Sequence, residues 1–200
     1  MTITETAENV RVRERVTEAA SSALGRALGV GDTAPEFALQ DTDHLLARSQ
    51  DMLEDGPLAL MFYRGLWCPH CNAEIAAVQK VLREFERAGA TVVGMTPQTR
   101  ASQRRAARET PIAYRLLTDE GNAVAEQFGL RFTLPDDVRQ AFLDYGIDLP
   151  AFNGEDSWSL PVSARYVIGP DRVIRYADVN PDHTVRPDPL DMLPAIAAAR

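Results

Sequence analysis

Leu58-Ala59-Leu60-Met61-Phe62-Tyr63-Arg64-Gly65-Leu66-Trp67-Cys68-Pro69-His70-Cys71-Asn72-Ala73-Glu74 is the stretch on which the reading of this chain turns. It begins with an unbroken apolar run, Leu58 to Tyr63, bounded by Gly56-Pro57 and Gly65, which is the pattern of a strand buried on both faces. From Cys71 onward the period changes. Ile75, Val78, Leu82 and Phe85 recur at three- and four-residue steps with polar and charged residues between them, and Gly89 stands where a C-terminal cap belongs. The spacing predicts a strand, a turn and an amphipathic helix, with both cysteines at the helix start.

That location has chemical consequences. Unpaired backbone N–H groups and the positive end of the helix dipole meet there, and both favour a thiolate over a thiol. Cys68 and Cys71 are separated by two residues, so across one helical turn their sulfurs can meet, and a disulfide can form and break without refolding. A low-pKa thiolate beside a second thiol is the minimum apparatus for thiol redox chemistry.

The bulk composition bounds the alternatives. Two hundred residues at 45% hydrophobic content suit one domain with appendages. A net charge of −8 argues against a nucleic-acid partner. No apolar run reaches the length of a membrane span, and Met1 to Arg15 is polar and mixed in charge, so neither a membrane location nor export is expected. The two cysteines both fall in the motif, which reads as a catalytic pair in a reducing cytoplasm. A zinc site needs four ligands and no second close pair exists, so no metal and no organic cofactor is expected.

Working outward, residues 3–28 predict a helix with a thin stripe, Val12, Val16, Ala20, Ala23 and Ala27, either lying on its own domain or serving as a dimerisation arm. Gly31 to Asp41 reads as an extended entry to the sheet, and Leu45 to Glu54 as a short helix. Ala90 to Met95 is a further strand, which makes a βαβ unit with the central strand and the cysteine helix. Arg100, Arg104, Arg105 and Arg108 form a solvated helix face ended by Pro111. Arg115 to Thr118 is a third strand, and Asn122 to Phe128 a helix. Residues 131–157, with a helix over Asp136 to Tyr145, read as an insertion that could roof a pocket. Ala164 to Ile168 and Val173 to Ala177 alternate around Gly169-Pro170-Asp171-Arg172, a hairpin, and a last helix runs from Pro189 to Ala199. Asp136-Asp137 reads as a helix N-terminus, and His183 and Arg186 as a loop network without a role in chemistry.

The order of elements, with a Cys-x-x-Cys turn leading the first core helix, resembles the thioredoxin fold, and its finer match is to the peroxiredoxin superfamily of alkyl hydroperoxide reductase and thiol-specific antioxidant proteins. The entry segment Gly31 to Asp41 carries it, as do Phe62-Tyr63-Arg64 with Cys71 and Glu74. So do Val92 to Thr96, Leu116 to Asp119 and Val124 to Gly129. The resemblance covers roughly residues 30–180. It implies an α/β fold with a central mixed sheet flanked by helices, divided as residues 1–29, a helical extension, and 30–200, a redoxin domain carrying the insertion before its C-terminal hairpin. The chain also departs from the family's Pro-x-x-x-Thr/Ser-x-x-Cys pattern, with Arg64 at the proline position, Cys68 at the threonine position and Cys71 at the peroxidatic one. The family's second arginine maps to Ser163, with Arg165 two residues further on.

Two mappings of the site follow. In a thioredoxin-type mapping Cys68 attacks and Cys71 resolves; in a peroxiredoxin-type mapping the roles reverse. His70, Trp67 and Arg64 are candidates for tuning the thiolate, and Arg165 is a candidate substrate-side residue. The leading expectation is a thiol peroxidase acting on hydrogen peroxide or organic hydroperoxides, regenerated by a thioredoxin-like or small-thiol reductant, with a homodimer left open. The alternatives are a thiol-disulfide oxidoreductase acting on protein disulfides and a non-enzymatic redox sensor.

Overall fold

The computed structural model describes residues 6–107 and 112–199. Helix α1, Ala7–Ser21, is followed by the hairpin strands β1, Ala38–Gln40, and β2, Leu46–Arg48, and by helix α2, Ser49–Glu54. The central strand β3, Leu58–Phe62, leads through the cysteine turn into α3, Pro69–Lys80, which breaks at Val81 before α4, Leu82–Arg87. Then come β4, Thr91–Thr96, α5, Arg100–Ala107, β5, Arg115–Thr118, and α6, Ala123–Gln127. Strand β6, Arg131–Thr133, precedes α7, Asp136–Asp144, and α8, Leu149–Asn153. The chain ends with β7, Ser159–Pro161, β8, Ser163–Ile168, β9, Ile174–Asn180, and α9, Leu193–Ala198.

Five strands form the central sheet in the order β5-β4-β3-β8-β9. β3 pairs parallel with β4 and antiparallel with β8, so the sheet is mixed. The apolar run of β3 is explained by what lies on its two faces. Leu58, Leu60 and Phe62 enter one buried cluster, shared with α1, α6 and α7, while Ala59, Met61 and Tyr63 enter a second, shared with α3, α4 and α9. The second cluster contains both cysteines. Among the described residues, no helix is long and apolar enough to cross a membrane.

Several elements differ from expectation. Leu45 to Glu54 is a helix only from Ser49. Before it, β2 pairs antiparallel with β1, because Asp41 Oδ1 accepts from the backbone N–H groups of Asp43 and Leu45 and closes a hairpin turn. The N-terminal stripe is buried within the chain at Val16, Ala20 and Ala23, where α1 packs on β6 and α7, and the described helix stops at Ser21. Residues 131–157 are more than a roof. β6 pairs with β7, and Phe132, Leu134, Val138, Phe142 and Leu149 join the core. Arg100 and Arg104 do not simply face solvent: they donate to Gln40 Oε1 at 2.7 Å and to the Thr42 carbonyl at 2.5 Å, tying α5 to the β1 hairpin. Arg108 and Pro111 lie outside the described residues.

Candidate active site

The dithiol sits where β3 hands over to α3. Gly65 makes the turn with a φ of 151°, and a Cβ there would fall 2.3 Å from the Trp67 indole nitrogen, so the turn requires glycine. Asn72 Nδ2 donates to the Leu66 carbonyl at 2.8 Å, and Leu66 donates its N–H to Gln98 Oε1, which pins the loop from both sides. Cys68 then occupies the N-cap of α3 with extended backbone, Pro69 follows in the first turn, and Cys71 lies three residues on. Both sulfurs are free thiols, with residue exposures of 1% for Cys68 and 0% for Cys71.

Each sulfur faces its own guanidinium. Arg64 Nη2 donates to Cys68 Sγ at 3.5 Å, and Arg186 Nη2 donates to Cys71 Sγ at 3.6 Å. The electrostatics of the two sides differ. Arg186 Nη1 lies 2.6 Å from Glu74 Oε2, and Arg165 Nε lies 2.6 Å from Glu74 Oε1, so one buried carboxylate, its side chain 1% exposed, bridges two arginines. Among the described residues, no carboxylate is within ion-pairing distance of Arg64, which is 5% exposed and lies with its guanidinium 5.1 Å from the Trp67 ring centroid. The hydrogen bond from the Cys71 thiol holds the Cys68 thiol well below its ordinary value, and the Arg64 charge adds to this against the cost of burial. Cys71 moves the other way, pushed up by the hydrogen bond it donates, by burial and by the neighbouring sulfur's charge.

The expected site residues divide accordingly. Arg64 and Trp67 do gather at Cys68, and Trp67 is held edge-on by Phe142 of α7 at 5.8 Å between ring centroids. His70 is exposed. Its ring lies against His183 at 5.6 Å, and no hydrogen bond joins it to either sulfur among the described residues. Arg165 does not face solvent. β8 is an interior strand, and Arg165 pairs across from Met61 on the α3 face, buried to 2%, where it grips Glu74 and donates to the Pro187 carbonyl at 2.8 Å. It thus anchors Glu74 and, among the described residues, donates a hydrogen bond to neither sulfur.

Sequence reasoning missed Glu74 as a charge bridge, and it assigned nothing to Arg186 and His183. Arg186 Nη2 also donates to Ser163 Oγ at 3.0 Å, so a guanidinium from the loop after β9 stands beside the serine at which the family carries an arginine. His183 is pushed far down by burial, with Arg64, His70 and Arg186 adding to the effect, and is neutral at physiological pH. The signal for these three was weak. Glu74 lies on the cysteine helix, but the loop 181–188 offers no periodicity. Among the described residues, no group of three or more His, Cys, Asp or Glu side chains could hold a metal ion.

A mixed thioredoxin-like sheet carrying a buried dithiol at the start of its first core helix defines a redoxin. Residues 30–177 match the model of the AhpC/TSA family, and the chain belongs to that family. The chain is 33% identical over 101 residues to a Mycobacterium tuberculosis protein provisionally named a peroxiredoxin, a match that takes in 50% of this chain and 66% of the relative. It is 31% identical over 100 residues to the chloroplastic peroxiredoxin Q of Oryza sativa subsp. japonica, covering 50% and 46% of the two chains. The chain therefore spans only part of the length of these curated relatives. Among solved structures, the peroxidoxin BcpB from Mycobacterium tuberculosis superposes with a TM-score of 0.65 at 25% identity, over 86% of this chain and 99% of that one. A peroxiredoxin-like protein from Aquifex aeolicus shares the fold, with a TM-score of 0.66 at 18% identity over 87% and 89%.

Proposed function

We propose that this chain is a thiol-dependent peroxidase in which Cys68 is the attacking thiolate and Cys71 the resolving thiol. The observation that carries the reading is the unequal pairing of the two arginines. Arg186 has an anionic partner, Glu74, which it shares with Arg165, whereas among the described residues Arg64 has no carboxylate partner and only the Cys68 sulfur. Charge balance therefore favours the thiolate at Cys68 and the proton at Cys71.

The reaction begins as the Cys68 sulfur attacks one peroxide oxygen. An S–O bond forms, the O–O bond breaks, and the other oxygen leaves with the electron pair as hydroxide or alkoxide and takes up a proton. Sulfur is oxidised to the sulfenic acid and the peroxide is reduced. Cys71 then attacks the Cys68 sulfur, its proton leaving with the hydroxyl as water, and the disulfide forms across one helical turn. A thioredoxin-like dithiol or a small thiol restores the pair by exchange. Burial supports a small substrate, since sulfurs 1% and 0% exposed admit a peroxide more readily than a disulfide on another protein's surface. The confinement of both cysteines to the motif supports a cytoplasmic setting.

The test is peroxide consumption by the reduced protein, with mass mapping of the first sulfenic acid formed by one equivalent of hydrogen peroxide. Wild type should outpace a free thiol, Cys71→Ser should accumulate sulfenic acid on Cys68, and Cys68→Ser should be inert. A wild-type rate equal to that of free thiol overturns the peroxidase reading, and sulfenic acid appearing first on Cys71 reverses the division of labour.

A further inference from the structure

We propose that Arg64, besides holding the Cys68 thiolate, binds the peroxide and stabilises the oxygen that leaves, so that it is a catalytic residue of this chain. The inference rests on the peroxidase reading above and deepens it. Arg64 stands where the family pattern has a proline, a residue with no hydrogen to donate.

The geometry that points to this is the donor inventory of the buried guanidinium. Among the described residues only Nη2 has a partner, the Cys68 sulfur at 3.5 Å, while Nε and Nη1 are buried and without a hydrogen-bond partner. A guanidinium carries five N–H donors in a rigid fork, and leaving buried donors unmade is costly. Two of the neighbouring groups do not relieve it, because they too are donors. Among the described residues the Trp67 indole nitrogen, whose ring lies on Arg64, is buried without a partner, as is Nε of Arg186. Around Arg64, then, several buried N–H groups have no acceptor among the described residues, while two acceptors nearby, Oε2 of Glu74 and the ring of His183, lie on the Arg186 side or belong to an imidazole. The complementary ligand is rich in oxygen lone pairs, and during O–O cleavage it gains negative charge on the departing oxygen. A fork already anchored on the attacking sulfur can direct its other N–H groups at the oxygens lined up with that sulfur, without reorganising during the reaction. The loose ring contact with Trp67, in place of a carboxylate clamp, leaves those donors uncommitted.

Two electrophiles separate this role from thiolate tuning. Both iodoacetamide and hydrogen peroxide need the thiolate, but only the peroxide has a leaving oxygen for the fork to hold. Reduced wild type, Arg64→Lys and Arg64→Gln are reacted with each reagent from pH 6 to pH 10, with folding checked by circular dichroism. At a pH where every variant is fully thiolate, the expected result for either variant is a peroxide rate constant lowered by roughly 100-fold, the scale for losing one oxyanion donor, with alkylation within about threefold of wild type. Equal losses with both reagents, or no loss with peroxide, overturn the proposal. Arg64→Gln serves if the lysine variant misfolds, and conversely. Should neither fold, small-molecule rescue decides: guanidinium ion added to refolding Arg64→Gln should restore the peroxide rate along with the fold, and a refolded protein with no gain over free thiol overturns the proposal. A wild-type protein that reacts with peroxide no faster than free thiol fails the peroxidase reading itself, an outcome distinct from these.

Discussion

Glu74 Oε2 and Arg186 Nη1 lie 2.6 Å apart, joining the cysteine helix to the loop that follows the last strand. The other oxygen of the same carboxylate holds Arg165. A single glutamate thereby offsets part of the positive charge beside Cys71, and no such carboxylate stands beside Arg64 among the described residues.

Replacing that glutamate should have two consequences. Glu74→Gln keeps the shape but strands two buried guanidinium groups, and breaking a buried pair in this way costs about 3–5 kcal/mol of stability. Urea unfolding of the reduced protein measures it. In the surviving folded protein the unquenched Arg186 should acidify Cys71, so that alkylation mapped by mass appears on Cys71 at a lower pH than in wild type. Cys71 labelling unchanged from wild type would remove the charge-partition argument.

The alkylation profile of wild type should separate the two thiols. Because Cys68 is held below its ordinary value, its reaction with iodoacetamide should be nearly flat from pH 6 to pH 8, where an ordinary thiol gains about tenfold per unit. Cys71 is pushed up and should stay unlabelled over the same range. Parallel rises for both residues would contradict the assignment.

Stability of the reduced protein should peak near the ordinary thiol value of 9.0. Below it the unfolded chain carries a proton on Cys68 that the folded chain has lost, so stability rises with pH, and this contribution fades as the pH falls toward the depressed folded value. Above it the unfolded chain loses the Cys71 proton that the folded chain keeps, so stability falls. Cys71→Ser should abolish the falling limb, and Cys68→Ser should abolish the rising limb and also weaken the falling one, since the Cys68 sulfur is part of what holds the Cys71 proton, read as denaturation midpoints across pH.

Phe142→Ala tests the contribution of residues 131–157. Phe142 is buried and meets the Trp67 ring edge-on, so its truncation should cost about 3–5 kcal/mol and free the indole. A red-shifted Trp67 emission in the folded variant would report the loosening, and Trp158, the other tryptophan, can be replaced by phenylalanine to isolate the signal.

The site was only partly legible in the sequence. Cys68, Cys71, Trp67 and Arg64 lie within one turn of chain, so the local pattern brought them together on paper as it does in space. Arg165 was readable as a strand residue, but its direction depended on β8 being interior, with a second buried layer on each face. β2 escaped notice because three residues alternate too briefly to outweigh a helical neighbour.

What the chain dictated by itself was local: a two-faced apolar strand, a glycine turn, a helix start and two thiols one turn apart, all consequences of side-chain period and backbone stereochemistry acting over a few residues. The surroundings that distinguish the two sulfurs came only from the tertiary structure. Glu74, Arg165 and Arg186 are distant in sequence and meet only when β8 and the loop after β9 pack onto α3, and in that buried interior, where charges are weakly screened, one carboxylate bridges two guanidinium groups on the Cys71 side.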